Sequence, residues 1–175
     1  MRILKTKQAI LFSMLAMIAV LAGGVKSAFA LSGTYNYASS GSYYSETGPS
    51  QYWHTTTSAG YCGHISGTCS PNSMRWTYNN SCTVSNEALW DNINSAQNAV
   101  HKVFIPGVNA TTRMAPYDLV YDGASEYAFT IDQYSYYDAW VQTGTKYDIR
   151  HTWLTDATCE GVSTKVGFDE MRITY

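Results

Sequence analysis

The stretch from Tyr117 to Ile131 leaves the chain few choices of fold. Tyr117, Leu119 and Tyr121 alternate with Asp118, Val120 and Asp122; after the turn Asp122-Gly123-Ala124-Ser125, Tyr127, Phe129 and Ile131 alternate with Glu126, Ala128 and Thr130. A period of two puts successive side chains on opposite faces, so the stretch reads as a β-hairpin with one apolar face. Tyr147, Ile149, His151 and Trp153 repeat the pattern, as do Met171, Ile173 and Tyr175 behind Val166 and Phe168. The apolar parity changes between Phe168 and Met171, which predicts a bulge or bend near Asp169 and Glu170. Val100 to Ile105, closed by Pro106-Gly107, carries few polar residues, as a central strand would. Between Ser85 and Val100, Leu89, Ile93 and Ala96 stand at near-helical spacing, but Asn92, Asn94 and Asn98 oppose a helix; the stretch reads as a strand with Ala88 and Trp90, then a polar loop. Many short strands, frequent turn signals and no capped helical period predict an all-β fold, a two-sheet antiparallel β-sandwich of jelly-roll type.

The first thirty residues carry a different pattern. Arg2, Lys5 and Lys7 precede an uncharged, mostly apolar stretch from Ala9 to Ala22, and Ala28-Phe29-Ala30 offers the small residues a signal peptidase accepts. The apolar stretch is about 14 residues, short of the roughly 20 that a spanning helix needs. A signal peptide over 1–30, an N-terminal extension over 31–41 and one domain over 42–175 are therefore expected, with the protein secreted and no membrane anchor left after cleavage. Tyr35 to Tyr44 and Gly48 to Ser58 lack clean alternation and are expected as an extension, loops or edge strands.

Cleavage removes Arg2, Lys5, Lys7 and Lys26 and leaves seven basic against thirteen acidic residues, a formal charge of −6. That balance argues against nucleic acid as a partner. Cys62, Cys69, Cys82 and Cys159 all lie beyond the cleavage point, and an even number in an exported chain is read as two disulfides. The favoured pairing is Cys62 with Cys69 and Cys82 with Cys159. Zinc on Cys62, His64 and Cys69 is the rival, opposed by export and by the missing CxxC pair.

A family resemblance rests on ordered elements of the second half: Ala88-Leu89-Trp90; Ala99 to Pro106; Asn109-Ala110-Thr111-Thr112; Asp132-Gln133; Trp140-Val141-Gln142-Thr143-Gly144; and Val166 to Arg172. This order resembles the golvesin and xanthan-lyase C-terminal domain family, well over 86–175 and loosely over 42–85. Thr143 stands where that family usually has Leu, Glu170 where it has Ala, and Gln97-Asn98-Ala99 replaces a Gly-Tyr pair. The resemblance implies a carbohydrate-binding-like β-sandwich, often appended to secreted enzymes. It also implies that Gln133 and Trp140 hold fold positions.

The candidate site is the run Gln133 to Trp140, with four aromatic rings in seven residues. Tyrosine faces can stack on a pyranose while amides and carboxylates bond its hydroxyls. Tyr134, Tyr136, Tyr137 and Asp138 are the predicted ligand-binding residues, beside Asp132 and Gln133. Trp53, with Tyr43, Tyr44 and Tyr52, forms a second set. Trp76, Trp90, Trp140 and Trp153 are assigned to the core. No histidine sits in a nucleophile elbow or triad-like context, so a non-enzymatic module is expected, with a polysaccharide or cell-surface glycan as partner; a structural or protein-interaction role is the alternative, and a small polysaccharide hydrolase a weaker one. Asp118, Asp122, Asp169 and Glu170 are potential calcium ligands without EF-hand spacing; they are read as solvated turn acids, Asp169 with Arg172 or Arg113 as partner, and no cofactor or metal is expected. Asn79 and Asn109 head glycosylation sequons.

Overall fold

The computed structural model describes residues 33–39, 42–57, 59–61, 73–91 and 97–175. The expected signal peptide, the Cys62–Cys69 pairing and the zinc alternative lie outside them.

Twelve strands run through the described residues: β1 Thr34–Ala38, β2 Tyr44–Thr47, β3 His54–Thr56, β4 Met74–Tyr78, β5 Glu87–Asp91, β6 Asn98–Ile105, β7 Ala115–Tyr121, β8 Ser125–Ile131, β9 Ala139–Tyr147, β10 His151–Thr155, β11 Lys165–Phe168 and β12 Glu170–Thr174. They form sheets of order β1-β12-β6-β9, β2-β5-β10-β7-β8 and β11-β4-β3. Every pairing is antiparallel. The protein is a β-sandwich. Its inward rows meet in one core that takes Tyr37, Val103, Ile105, Met171 and Ile173 from the first sheet, Ala88, Trp90, Tyr117, Leu119 and Leu154 from the second, and Val166 and Phe168 from the third.

β6 is central, as its composition predicts, lying between β12 and β9. The hairpin of β7 and β8 pairs Ala115 with Ile131 and Tyr121 with Ser125. Its two strands differ in burial because β7 is covered by β10 and β8 is the sheet edge. Tyr117 and Leu119 are buried, whereas Tyr127 remains 39% exposed.

The predicted bend falls at Asp169, where the chain stops pairing with β4 and starts pairing with β6. Asp169 and Glu170 are buried, correcting their reading as solvated acids. Asp169 pairs with neither expected arginine: its Oδ2 accepts from the Tyr61 backbone N at 2.7 Å, and Oδ1 has no partner among the described residues. Burial, with the charges of Glu170 and Asp138 adding to it, pushes the Asp169 carboxyl up to about 8.

Part of the 31–41 stretch belongs to the packed structure, since β1 pairs residue by residue with β12 and buries Tyr37. Trp90 is a core residue as expected. Trp76 and Trp153 are not: neither belongs to the core cluster and each is only partly buried. Trp140 packs edge-on against Phe104 and Tyr61, with the Arg172 guanidinium 3.9 Å from its ring centroid.

His101 is the largest departure from an apolar core. Fully buried on β6, it sits 2.5 Å through Nδ1 from Thr143 Oγ1 and 2.9 Å through Nε2 from Thr152 Oγ1. A register shift opposite His101 and Lys102 places the Thr143 hydroxyl within reach of the imidazole. Both ring nitrogens are satisfied, and burial pulls the imidazole down to about 3, so it is neutral at physiological pH.

Candidate functional site

The run Gln133 to Trp140 separates into residues that hold the fold and residues that face solvent. Asp132 caps a 3-10 turn over Gln133–Ser135 by accepting from the Ser135 backbone. Gln133 is fully buried; it donates to Tyr117 Oη at 3.1 Å and to the Gly167 carbonyl at 2.9 Å, and accepts from Gly167 N at 2.9 Å. This clasp fixes the turn against β11, leaving the tyrosines of the turn outside. Tyr134, Tyr136 and Tyr137 are 59%, 41% and 74% exposed.

The three rings do different things. Tyr134 lies under Arg113, whose guanidinium carbon is 4.3 Å from the ring centroid and whose Nη1 is 2.9 Å from Asp132 Oδ2. The Ser135 hydroxyl and then the Arg113 charge hold the Asp132 carboxyl below the usual carboxylate range. Tyr137 covers Gly107 so closely that a Cβ there would meet its ring at 2.7 Å, and Asp138 accepts from Gly107 N at 2.7 Å. Tyr136 lines a groove.

That groove, of about 320 Å3, runs between β8 and β9 and is lined by Tyr127, Phe129, Tyr136, Val141, Gln142 and Thr143, with Asp132 and Ser135 at one end. Both flanking strands are sheet edges. Its aromatic wall is a stack, Tyr117 on Phe129 with centroids 5.4 Å apart and Phe129 on Tyr127 at 5.4 Å. Lys146 Nζ lies 4.4 Å from the Tyr127 centroid and 4.6 Å from that of Tyr121. The groove therefore combines firm aromatic faces with amide, hydroxyl and carboxylate groups, chemistry suited to a neutral polyol. Alternation puts Tyr127 and Phe129 on the apolar face of the hairpin; what it does not reveal is that β8 ends its sheet among the described residues.

Trp53 does not join this surface. It is 9% exposed, packs against Phe168 with centroids 4.8 Å apart, and donates Nε1 to the Thr47 carbonyl at 3.0 Å. Its assignment to ligand binding is corrected to the core. Tyr44 is half-buried against Trp90, its hydroxyl donating to Glu46, while Tyr43 and Tyr52 stay exposed. Tyr52, His54, Tyr78 and Asn80 line a second groove of about 410 Å3.

Cys82 and Cys159 form a disulfide, as the favoured pairing has it. Both sequon asparagines are engaged in hydrogen bonds. Asn79 is buried with its amide donating to the Glu160 and Gly161 carbonyls, and Asn109 bonds Thr56 and Lys165. No set of three or more His, Cys, Asp or Glu among the described residues is arranged to hold a metal ion.

The fold matches part of a solved Paenibacillus xanthan lyase, with a TM-score of 0.60 and 10% identity over 83% of this chain. The matched region is 13% of that protein's length, so this chain corresponds to a small portion of it. Weaker likenesses are to the K2 cleaved adhesin domain of Lys-gingipain (TM-score 0.44, 9% identity, 81% of this chain and 98% of that one) and to a family 32 carbohydrate-binding module of C. perfringens NanJ, solved with galactose (TM-score 0.38, 10% identity, 81% and 100%). No protein-family sequence pattern matches the chain, and no curated protein matches it. What the likeness to xanthan lyase shows is the sandwich itself.

Proposed function

We propose that the protein is a secreted, non-catalytic module of the golvesin and xanthan-lyase type that binds extracellular or cell-surface polysaccharide in the groove between β8 and β9. One observation carries this reading. Tyr127, Phe129 and Tyr136 line the same groove as Gln142 and Asp132, so stacking faces and hydroxyl-bonding groups address one volume. The sharing of a fold with part of a xanthan lyase agrees with a polysaccharide partner. In this mechanism the sugar ring rests on Tyr136 and Tyr127 while Gln142 and Asp132 bond its hydroxyls; no bond is broken.

A second reading draws on the same place. β8 and β9 are open edges, and an extended segment of a partner protein could add a strand to either.

The test is affinity electrophoresis and calorimetry on a panel of soluble polysaccharides, with wild type and a Tyr127→Ala, Tyr136→Ala variant. About tenfold or greater loss of glycan affinity is expected, with the melting temperature held within a few degrees, since both rings are substantially exposed. Glycan binding unchanged in the variant would reject the site, and no binding across the panel would reject the function.

A further inference from the structure

The second groove sits among stretches that are remote in sequence. Tyr52 comes from a 3-10 turn after Pro49, His54 from β3, Tyr78 and Asn80 from the end of β4 and its following loop, and Val162 from the loop before β11. Tyr52 and Tyr78 are each about half exposed, at 52% and 49%. Two large rings left half bare in one concavity are a cost to the free protein that a ligand would relieve.

The floor of the groove is stiff. His54 stacks on Trp76 with centroids 4.1 Å apart, and Tyr78 meets Trp76 edge-on at 5.2 Å. Lys165 Nζ lies 4.4 Å from the Trp76 centroid and also bonds Asn109 Oδ1 at 2.9 Å. The walls are tied as well. The Cys82–Cys159 disulfide joins the loop after β4 to the loop before β11, and backbone bonds run from Asn79 to Thr164, Asn80 to Asp156 and Cys159 to Ser81.

The charges nearby are already engaged. Asp156 accepts from Ser85 N at 2.8 Å and Asn86 N at 3.0 Å, and Lys165 is held as above. What remains for a ligand is two phenols, an imidazole, the Asn80 amide oxygen and two exposed ring faces. Such a set selects a neutral pyranose over an ion or a charged peptide.

We infer that this loop groove is a second carbohydrate subsite, taking a neutral pyranose against Tyr52 and Tyr78, and that it shares no lining residue with the groove between β8 and β9. The inference rests on the proposed function for its ligand class and on separate residues for its place. Two subsites on one module let a long polysaccharide be held at two points, raising avidity by effective concentration without new contacts.

The experiment is a titration of the 15N-labelled protein, residue signals assigned, with cellohexaose, xylohexaose and mannohexaose, repeated with Tyr52→Ala, Tyr78→Ala and Tyr136→Ala. Expected are saturable shifts at Tyr52, Tyr78, Asn80 and Val162 with at least one sugar, lost on Tyr52→Ala or Tyr78→Ala and retained on Tyr136→Ala. Tyr78→Phe, which keeps the ring and its packing, retains most of the binding. Shifts confined to Tyr127, Tyr136 and Gln142 would overturn the second subsite while leaving the proposed function intact. No shift at either groove would overturn both.

Discussion

The two grooves offer similar chemistry from opposite construction. The groove between β8 and β9 is assembled from residues 127–143, one continuous stretch of chain that turns back on itself. The loop groove draws on residues from Tyr52 to Val162 and has its walls pinned by a disulfide whose half-cystines are 77 residues apart. The contiguous surface is held by the Gln133 clasp on β11, whereas the composite one is pinned by a covalent cross-link. The two should therefore fail under different insults.

The largest separation is expected from Cys82→Ser with Cys159→Ser. Loss of a cross-link over so long a loop costs about 4 kcal/mol in the chain-entropy model. Denaturant unfolding measures the cost; at a temperature where the variant remains folded, Tyr52 and Tyr78 signals should broaden while those of Tyr127 and Tyr136 hold. Equal disturbance in both grooves would show that the disulfide serves the whole sandwich rather than one wall.

Acid and alkali should act on both grooves together, because the two groups that govern the response lie in shared structure. His101, lowered to about 3 from 6.5, remains neutral when folded; the unfolded chain binds its proton first, so stability is lost as pH falls below 6.5 through 3. Asp169, raised to about 8 from 3.8, has the opposite sign: its contribution is full below 3.8 and is lost as pH rises through 8. Between roughly pH 4 and 6.5 the two slopes cancel, so these groups yield a plateau, with limbs of up to about 1.4 kcal/mol per pH unit on either side. Thermal melts across pH should show that plateau; Asp169→Asn flattens the alkaline limb and His101→Gln the acid one. A groove that lost its ligand at a pH where the other kept it would break the expectation.

The smallest effect distinguishes the grooves again. Lys146→Met removes a cation from the faces of Tyr121 and Tyr127, a contact worth about 0.5–1 kcal/mol at a surface position. Calorimetry should find a fewfold weaker interaction at the groove between β8 and β9 and an unchanged one at the loop groove.

The same contrast explains what could be read from the sequence. The hairpin, the central strand β6 and the bend at Asp169 follow from side-chain alternation, a local property. Gln133 and Tyr136 were also in view, because the turn that carries them is local. The strands β1 to β4 were not resolved, since edge strands and a three-stranded side sheet bury only part of each face and blur the alternation. Trp53 and Trp76 show the consequence: local spacing offers the first as surface and the second as core, whereas Trp53 packs on Phe168 and Trp76 stacks on His54 across the β3–β4 pair. Of the loop groove only Tyr52 is legible as a candidate in the sequence, because its residues are brought together by sheet order and a cross-link rather than by spacing.

The pairing of β1 with β12 sets Thr34 opposite Thr174, so the chain enters and leaves the sandwich side by side. A load applied between those two points opens the antiparallel pair like a zipper, one rung after another, and meets little resistance. Held at its two ends, the domain would yield first at β1, with the strands that carry both grooves still paired.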